Sequence, residues 1–358
     1  MGINRLKTLG LPSMNLLRVK GMPILEQLHL EERLLRTTLD NWCILNDGTN
    51  DRNIVMGVSG KPAELLNINS VLQDKVAVIR RFTGGGTVIV DHNTVFATFI
   101  CNKDALPDVQ PYPRPIMSWS SLIYKDVFQE VGDFSLREND YVFGNHKFGG
   151  NAQSITKTRW IHHTSFLWDF DVNSMAYLKL PSRAPEYRKE RDHLEFLCRM
   201  KDYIPRSNFI DRIIEAVGRN FDVKPMEIEA IESPTSNIVF TPTSKIVAEE
   251  ELNEALSVSQ LVFDIVVPLP NFVEARGRGF QTNRGRGYII RDINYGSGSA
   301  GIRDESGTEL GENISLNKQL ENYQTVVSRI ASLLGNQTSA NEFLRKCLYI
   351  VAAAATIT

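Results

Sequence analysis

Three consecutive glycines, Gly84, Gly85 and Gly86, separate two strand-like runs, and no other feature narrows what this chain can build as much. Glycine has no Cβ and tolerates positive φ. Such a run therefore marks a place where the backbone turns sharply or lets its N–H groups approach a ligand closely. Val76 to Arg81 reads as the strand before it. Thr87 to Val90 and Thr94 to Ile100 read as a hairpin turned at Asp91-His92-Asn93. Arg80 and Arg81 are adjacent at the start of the loop, and two guanidinium groups at its mouth would meet a phosphate or carboxylate in forked geometry. Taken alone, the segment is a tight hairpin with surface arginines. It is not a Walker loop, because Gly-Lys-Ser or Gly-Lys-Thr does not follow.

Around this loop the chain does not alternate strands and helices strictly. It opens as strand, helix, strand, with Ile24, Leu25, Leu28, Leu34 and Leu35 near helical spacing between Pro23 and Asp40. Trp42 to Leu45 and Ile54 to Val58 are short strand candidates. A helix is expected after the proline-rich loop 107–115, burying Ile116, Trp119, Leu122, Ile123, Val127 and Val131. Asp140 to Phe170 is strand-rich and broken by glycines. Ile210, Ile213, Ile214, Val217 and Phe221 make one amphipathic stripe, and 249–255 reads as a last helix. This order predicts an α+β fold, a mixed β-sheet with packed helices.

Composition sets the frame for function. Of 358 residues, 42% are hydrophobic and 23% charged, so a sizeable core is available, and the formal net charge of -2 offers no electrostatic argument for nucleic acid. The four cysteines, Cys43, Cys101, Cys198 and Cys347, form no CxxC pair, which favours a reducing compartment over a disulfide framework or zinc site. No stretch is long and apolar enough to span a membrane. Residue 6 is leucine, so the Met1-Gly2 start lacks the myristoylation pattern. The first twenty residues carry Arg5, Lys7, Arg18 and Lys20 and no acid, but a strand-like run already starts at Leu16. Cytosol is therefore placed ahead of mitochondrion.

Two further segments carry chemistry. Asn139-Asp140 precedes Gly144-Asn145-His146-Lys147-Phe148-Gly149-Gly150-Asn151-Ala152-Gln153. A lysine among glycines is sterically uncovered and can reach into a cleft, where it would neutralise two negative groups that must meet. Otherwise the segment is a solvated loop. His162-His163-Thr164-Ser165 follows, leading into Phe166-Leu167-Trp168. Adjacent residues of a strand face opposite ways, so a joint two-histidine metal site is not expected; one ring faces the cleft and the other packs elsewhere or is exposed.

In this order RRFTGGGTVIVD, ND, GNHKFGGNAQ and HHTSFL resemble the lipoate-protein ligase A family of the biotin/lipoate A/B protein ligase superfamily, over roughly Met14 to Ser257. The resemblance implies a class II synthetase-like catalytic domain and two half-reactions. Lipoate attacks the α-phosphate of ATP, and the acyl group of the lipoyl-adenylate then passes to a lysine of a carrier domain. It implies that Lys147 lies between the acyl carbonyl and the α-phosphate, and that Arg81 with the backbone of Gly84, Gly85, Gly86, Thr87, Val88 and Ile89 embraces nucleotide and acyl chain. It places Asp140 near the nucleotide as a magnesium contact, Asn151 and Ala152 along the pocket, and His163 as the second histidine of the family's pair. It makes 182–191 the mobile segment over the adenylate. Apolar strands around Val88, Val90 and Phe99 suit an aliphatic tail. The implied cofactors are ATP and Mg2+, with lipoate as substrate. The implied partners are lipoyl carrier domains of 2-oxoacid dehydrogenase complexes or the glycine cleavage H protein, with a separate small accessory ligase subunit where the chain has only the large domain.

Two positions depart from the family. Val90-Asp91 stands where His-Asp is usual, and Thr164-Ser165 where Gly-Thr often follows the histidines. Neither removes the lysine or the glycines. The nearest rival is an octanoyl- or lipoyltransferase using a cysteine acyl carrier, for which Cys101 is the candidate. A biotin ligase fits the glycine loop and lysine spacing less well, and a non-catalytic acyl- or carrier-binding homologue is the rival from outside catalysis. The organisation expected is a catalytic domain over 1–257 and an unassigned, partly disordered region over 258–358. In that region an RGRGFQTNRGRGY segment suggests RNA only if it is not simply an unstructured tail.

Overall fold

A computed structural model of the chain describes residues 10–181, 184–232 and 240–256, with scattered positions between 324 and 338. The chain divides into two units, Met1–Asn253 and Glu254–Thr358. In the second, positions 324, 327, 328, 331 and 332 are helical, within the stretch from Leu316 to Leu334 whose sequence suggests a weak helix. The run Leu261 to Leu269, the RGRGFQTNRGRGY segment and the Gly/Ser-rich stretch 294–313 lie outside the described residues.

The first unit opens with β1 (Ser13–Lys20), α1 (Ile24–Thr37) and β2 (Trp42–Asp47). Then come β3 (Asn53–Met56), the short α2 (Pro62–Leu65) and α3 (Ile68–Gln73), β4 (Ala77–Arg80), β5 (Val88–Val90), β6 (Thr94–Asn102) and α4 (Pro113–Val127). The strands β7 (Phe134–Arg137), β8 (Asp140–Phe143), β9 (His146–Ile155) and β10 (Arg159–Leu167) lead to α5 (His193–Phe196) and α6 (Arg206–Asn220). β11 (Asp222–Met226), α7 (Ile228–Glu232), β12 (Lys245–Ile246) and the start of a helix at residue 249 close it.

Eight strands form one mixed sheet in the order β11-β1-β2-β6-β10-β9-β8-β7, with β1 parallel to both β11 and β2 and the remaining pairs antiparallel. A smaller sheet runs β12-β4-β3-β5. The topology corrects two expectations. β5 and β6 are no hairpin, since they belong to different sheets. Nor do the glycines turn a hairpin: β4 and β5 lie on either side of β3, so the glycine loop crosses the end of that strand. Strand periodicity finds each run but carries no information on its neighbour.

Alternation along the strands splits the core. One face of the large sheet presents Phe99, Cys101, Trp160 and Phe166 to α4 and α6, through Ile116, Ile123, Tyr124, Phe209, Ile213 and Val217. The other presents Ile44, Phe96, Ile100 and Ile161 to α1 and the small sheet, through Leu28, Leu35, Val55, Ile79 and Val90. α4 starts with Pro113 at its first position, where the missing N–H costs nothing. Leu122, expected inside, is 65% exposed; it lies one residue off the stripe set by Ile116, Ser120, Ile123 and Val127. One guanidinium packs onto the end of α1: Arg159 donates to the Leu34 and Leu35 carbonyls at 2.7 and 3.2 Å, beside the Thr38 N–H that also reaches Leu34. No helix among the described residues is long and apolar enough to cross a membrane.

Candidate active site

The α1 side of the large sheet gathers the polar residues. On β10, His163 and Ser165 share that side. Opposite them on β9 are Ala152 and Gly150, and opposite Gly150 on β8 is Asp140. Lys147 is three residues before Gly150, and in a regular strand it would point the other way. A β-bulge intervenes: Tyr141 opposes Gly149 and Val142 opposes Lys147, leaving Phe148 as the extra residue. The insertion resets the alternation, so Lys147 joins Gly150 and Asp140 on one face. The glycines therefore do not break the chain into a loop; Gly149 and Gly150 lie inside β9.

Lys147 Nζ lies 2.7 Å from Asp140 Oδ1, with about a quarter of the side chain (26%) exposed. A Cβ on Gly150 would sit 3.6 Å from the ammonium, so the glycine leaves the space the lysine crosses. The segment after it covers the pair. The Tyr187 hydroxyl donates to Asp140 Oδ2 at 2.8 Å, and the Cys198 N–H donates to the Lys147 carbonyl at 3.0 Å. Of the stretch 182–191, Ser182 and Arg183 lie outside the described residues. Glu186–Arg188 forms a 3-10 turn that seats Arg188, 5% exposed, over the Phe196 ring.

The glycine loop lies on the same face. Gly84 N–H donates to the Gln153 carbonyl at 3.3 Å, and a Cβ on Gly85 (φ +108°) would be 3.4 Å from the Ala152 Cβ. Gly57, just after β3, is pressed against it: a Cβ there would stand 2.4 Å from the Gly85 carbonyl oxygen, which no side chain tolerates. A Cβ on Gly84 or Gly86 would meet open space, and Gly85 and Gly86 are exposed.

The twin arginines do not meet at the loop's mouth. Neighbours on a strand diverge, and Arg80 turns to Glu251 at 2.5 Å and to the Gly60 carbonyl. Arg81, 4% exposed, is folded into the loop: Nε donates to Thr83 Oγ1 at 2.9 Å, one Nη to the carbonyls of Gly84 and Gly86 at 2.9 and 2.8 Å, the other to Val55. Burial lowers its pKa to about 10, with Glu31 acting in the opposite sense. Arg81 thus fixes the backbone of the loop rather than presenting a free fork.

Behind it runs a buried relay. Thr83 Oγ1 is 3.3 Å from His163 Nε2, and His163 Nδ1 is 3.0 Å from Glu31 Oε2. A carboxylate facing a ring nitrogen accepts, so Nδ1 carries the hydrogen and Nε2 receives the Thr83 hydroxyl. Glu31, wholly buried on α1, also accepts from Gln27 at 2.7 Å and Thr98 at 2.6 Å. Glu31, Thr83, Tyr187 and Gly57 were not singled out from the sequence. A signal existed for Glu31 alone: a carboxylate at the helical spacing of Ile24, Leu28 and Leu35 is a charge placed in an apolar stripe.

Other candidates fall elsewhere. The Asn151 side chain turns to the opposite face, where Thr164 donates to it at 2.7 Å; only its backbone meets the glycine loop. Phe99 packs with Trp119 and Tyr124 on that face too, and so does not line a tail pocket; Val88 and Val90 lie on the α1 side. Cys101 is fully buried there, its thiol pushed well up by burial and then by Cys43. Such a thiol has neither access nor thiolate character for acyl transfer. Among the described residues no three metal-ligating side chains cluster. Asp140 has both oxygens engaged, so these residues alone do not fit a magnesium ion.

His162 separates cleanly from its neighbour. It is buried on the far face, accepting from Gln153 at 3.0 Å, and burial, then His163, hold its pKa down to about 3. An unfolded histidine titrates near 6.5. Between those values the unfolded chain binds one more proton, so stability is full above about pH 6.5 and falls as pH drops, by up to roughly 1.4 kcal/mol per pH unit. Urea midpoints at pH 5 and pH 7 measure this. The gap should shrink in His162→Gln, and an unchanged gap overturns the assignment.

The glycine loop, Asp140, Lys147 and His163 share one face of this mixed-sheet fold. The chain has the fold in common with the bi-partite lipoate protein ligase of Thermoplasma acidophilum, a structure of that ligase and its E2 lipoyl domain (TM-score 0.50, 15% identity, covering 70% of this chain and 92% of that one). Residues 23–222 match the family described as Lipoyl protein ligase A/B catalytic domain, and the chain belongs to that family. Among relatives, the inactive lipoate–protein ligase 2 of Plasmodium falciparum is 28% identical over 222 residues, 51% of this chain and 57% of that protein. The chain thus spans little more than half the length of such a relative. A GDSL esterase/lipase of Arabidopsis thaliana is 46% identical over 72 residues, 20% of either chain, too small a share to carry its fold or activity across.

Proposed function

We propose that this chain is an ATP-dependent lipoate-protein ligase. The observation that carries the reading is Lys147, turned by a β-bulge onto the face where the glycine loop lies and held over Gly150 by Asp140. The first step sets a carboxylate against a phosphate, and like charges repel. An ammonium between them offsets that repulsion and stabilises charge as it builds on the α-phosphate. The carboxylate oxygen bonds to the α-phosphorus, the bond to pyrophosphate breaks, and lipoyl-adenylate results. A neutral lysine amine of the carrier then attacks the acyl carbon and AMP leaves. In this reading the exposed backbone of Gly85 and Gly86 borders the nucleotide, Ala152 and Val88 border the acyl chain, and Arg81 and His163 hold the loop. Magnesium enters bound to the nucleotide, since Asp140 alone is no site for it.

The carriers proposed are lipoyl domains of 2-oxoacid dehydrogenase complexes or the glycine cleavage H protein; the E2 lipoyl domain of the Thermoplasma system supports the former. That ligase is bi-partite, which makes a separate accessory subunit a reasonable requirement here. The proposed compartment is reducing, the cytosol ahead of the mitochondrion. A second reading has a specific observation behind it: a relative is named inactive, and Lys147 here is already neutralised by Asp140. The chain would then bind acyl groups or carriers without catalysis. Pyrophosphate release from MgATP and lipoate decides between them. Release supports the ligase. No release, with carrier domain and a small ligase subunit supplied, removes it and leaves the binding reading, which calorimetric titration of a lipoyl domain then tests.

A further inference from the structure

The ligase reading assigns work to Lys147 but not to the residues that decide where its ammonium stands. Asp140 is the immediate partner, and a carboxylate with one oxygen on a lysine is free to rotate about its own axis unless the second oxygen is held. Tyr187 holds it: its hydroxyl is 2.8 Å from Oδ2 while Lys147 takes Oδ1 at 2.7 Å. The tyrosine is itself well anchored. Its ring lies 5.3 Å from that of Phe196, the Arg137 guanidinium stands 5.0 Å over it, and the Arg191 Nη donates to its backbone carbonyl at 2.9 Å. Phe196 is in turn covered by Arg188 at 4.6 Å and Arg191 at 5.3 Å. Burial, and then the Asp140 charge, push the Tyr187 phenol well up, so it stays a proton donor at working pH.

We propose that Tyr187 is a positioning residue of this site: by fixing one oxygen of Asp140 it keeps the other on Lys147, and so sets the place of the ammonium over Gly150. The inference rests on the ligase reading for its purpose, but the contact it describes can be measured without catalysis. Tyr187→Phe removes the hydroxyl and keeps the ring, so the packing on Phe196 and Arg137 survives. The readout is the rate at which Lys147 in the full chain is acetylated by an N-hydroxysuccinimide ester, followed by peptide mass spectrometry. The exposed Lys125 of α4 serves as internal reference.

Losing a hydrogen bond to a charged group should raise Lys147 labelling roughly five- to tenfold relative to Lys125. Because the effect passes through Asp140, Tyr187→Phe should add nothing in an Asp140→Asn background; the two changes form a non-additive cycle. Unchanged labelling in Tyr187→Phe overturns the proposal. So does an equal rise in both backgrounds, which would mean the tyrosine acts only by covering the lysine. Pyrophosphate release from the unaltered chain is run alongside. Its failure counts against the ligase and leaves the labelling result standing.

Discussion

Replacing Lys147 by alanine should slow pyrophosphate release about 10²- to 10³-fold, the size expected when a single charge aimed at a developing anion is removed. The side chain is mostly buried, ion-paired and placed on the loop face by a bulge. Lys147→Met separates charge from packing: it fills the same channel over Gly150 without the ammonium, and it should fail as badly as alanine. Cys101→Ala is the counterpart. Its sulfur lies on the other face, fully buried among aromatic rings, and most activity should survive. Steady-state pyrophosphate assays on the three variants check this. A lysine change that is tolerated together with a cysteine change that is not would reverse the mechanism to acyl transfer through a thiol.

Glu31→Ala should cost the fold about 3–5 kcal/mol, because it removes the acceptor at the centre of a buried polar cluster. Gln27, Thr98 and His163 each direct a hydrogen at this one carboxylate, and all three are buried. Unsatisfied buried donors retain their desolvation penalty in full. The loss propagates: without Glu31 to fix its ring, His163 releases Thr83, and Arg81 loses the charge that counters its burial. The glycine loop should then loosen as well. Urea unfolding measures the first effect as a lower midpoint at unchanged slope. Glu31→Gln retains the shape and one acceptor and should cost less than half as much. A loss below about 1 kcal/mol for the alanine variant would sink the relay as a structural device.

Much of this protein could be read from residue order. The triple glycine falls in a loop after β4 and the paired histidines on a strand, as their residue types suggest, whereas the lysine motif is a continuous strand; the stripes of α1, α4 and α6 follow from spacing in the chain. What periodicity could not supply is which strand pairs with which. It made β5 and β6 a hairpin, although they lie in different sheets. The apolar run around Phe99 suited an aliphatic tail and the resemblance put Asn151 along the pocket, yet both side chains face the α4 side. Arg81 illustrates the same limit chemically. Two adjacent guanidinium groups suggest a fork for phosphate, but strand geometry sends them apart and burial commits one to the loop's own carbonyls.

From the residues alone came the kinds of group available and the lengths of chain between them, because steric freedom at glycine, charge at lysine and apolar spacing are local properties. The direction each group faces was decided only on folding. One extra residue in β9 moved Lys147 to the side of Asp140, and a helix some hundred and thirty residues away in sequence supplied the carboxylate behind His163. Bulges and buried ion partners arise from packing between distant segments, and that energy exists only when the segments have met.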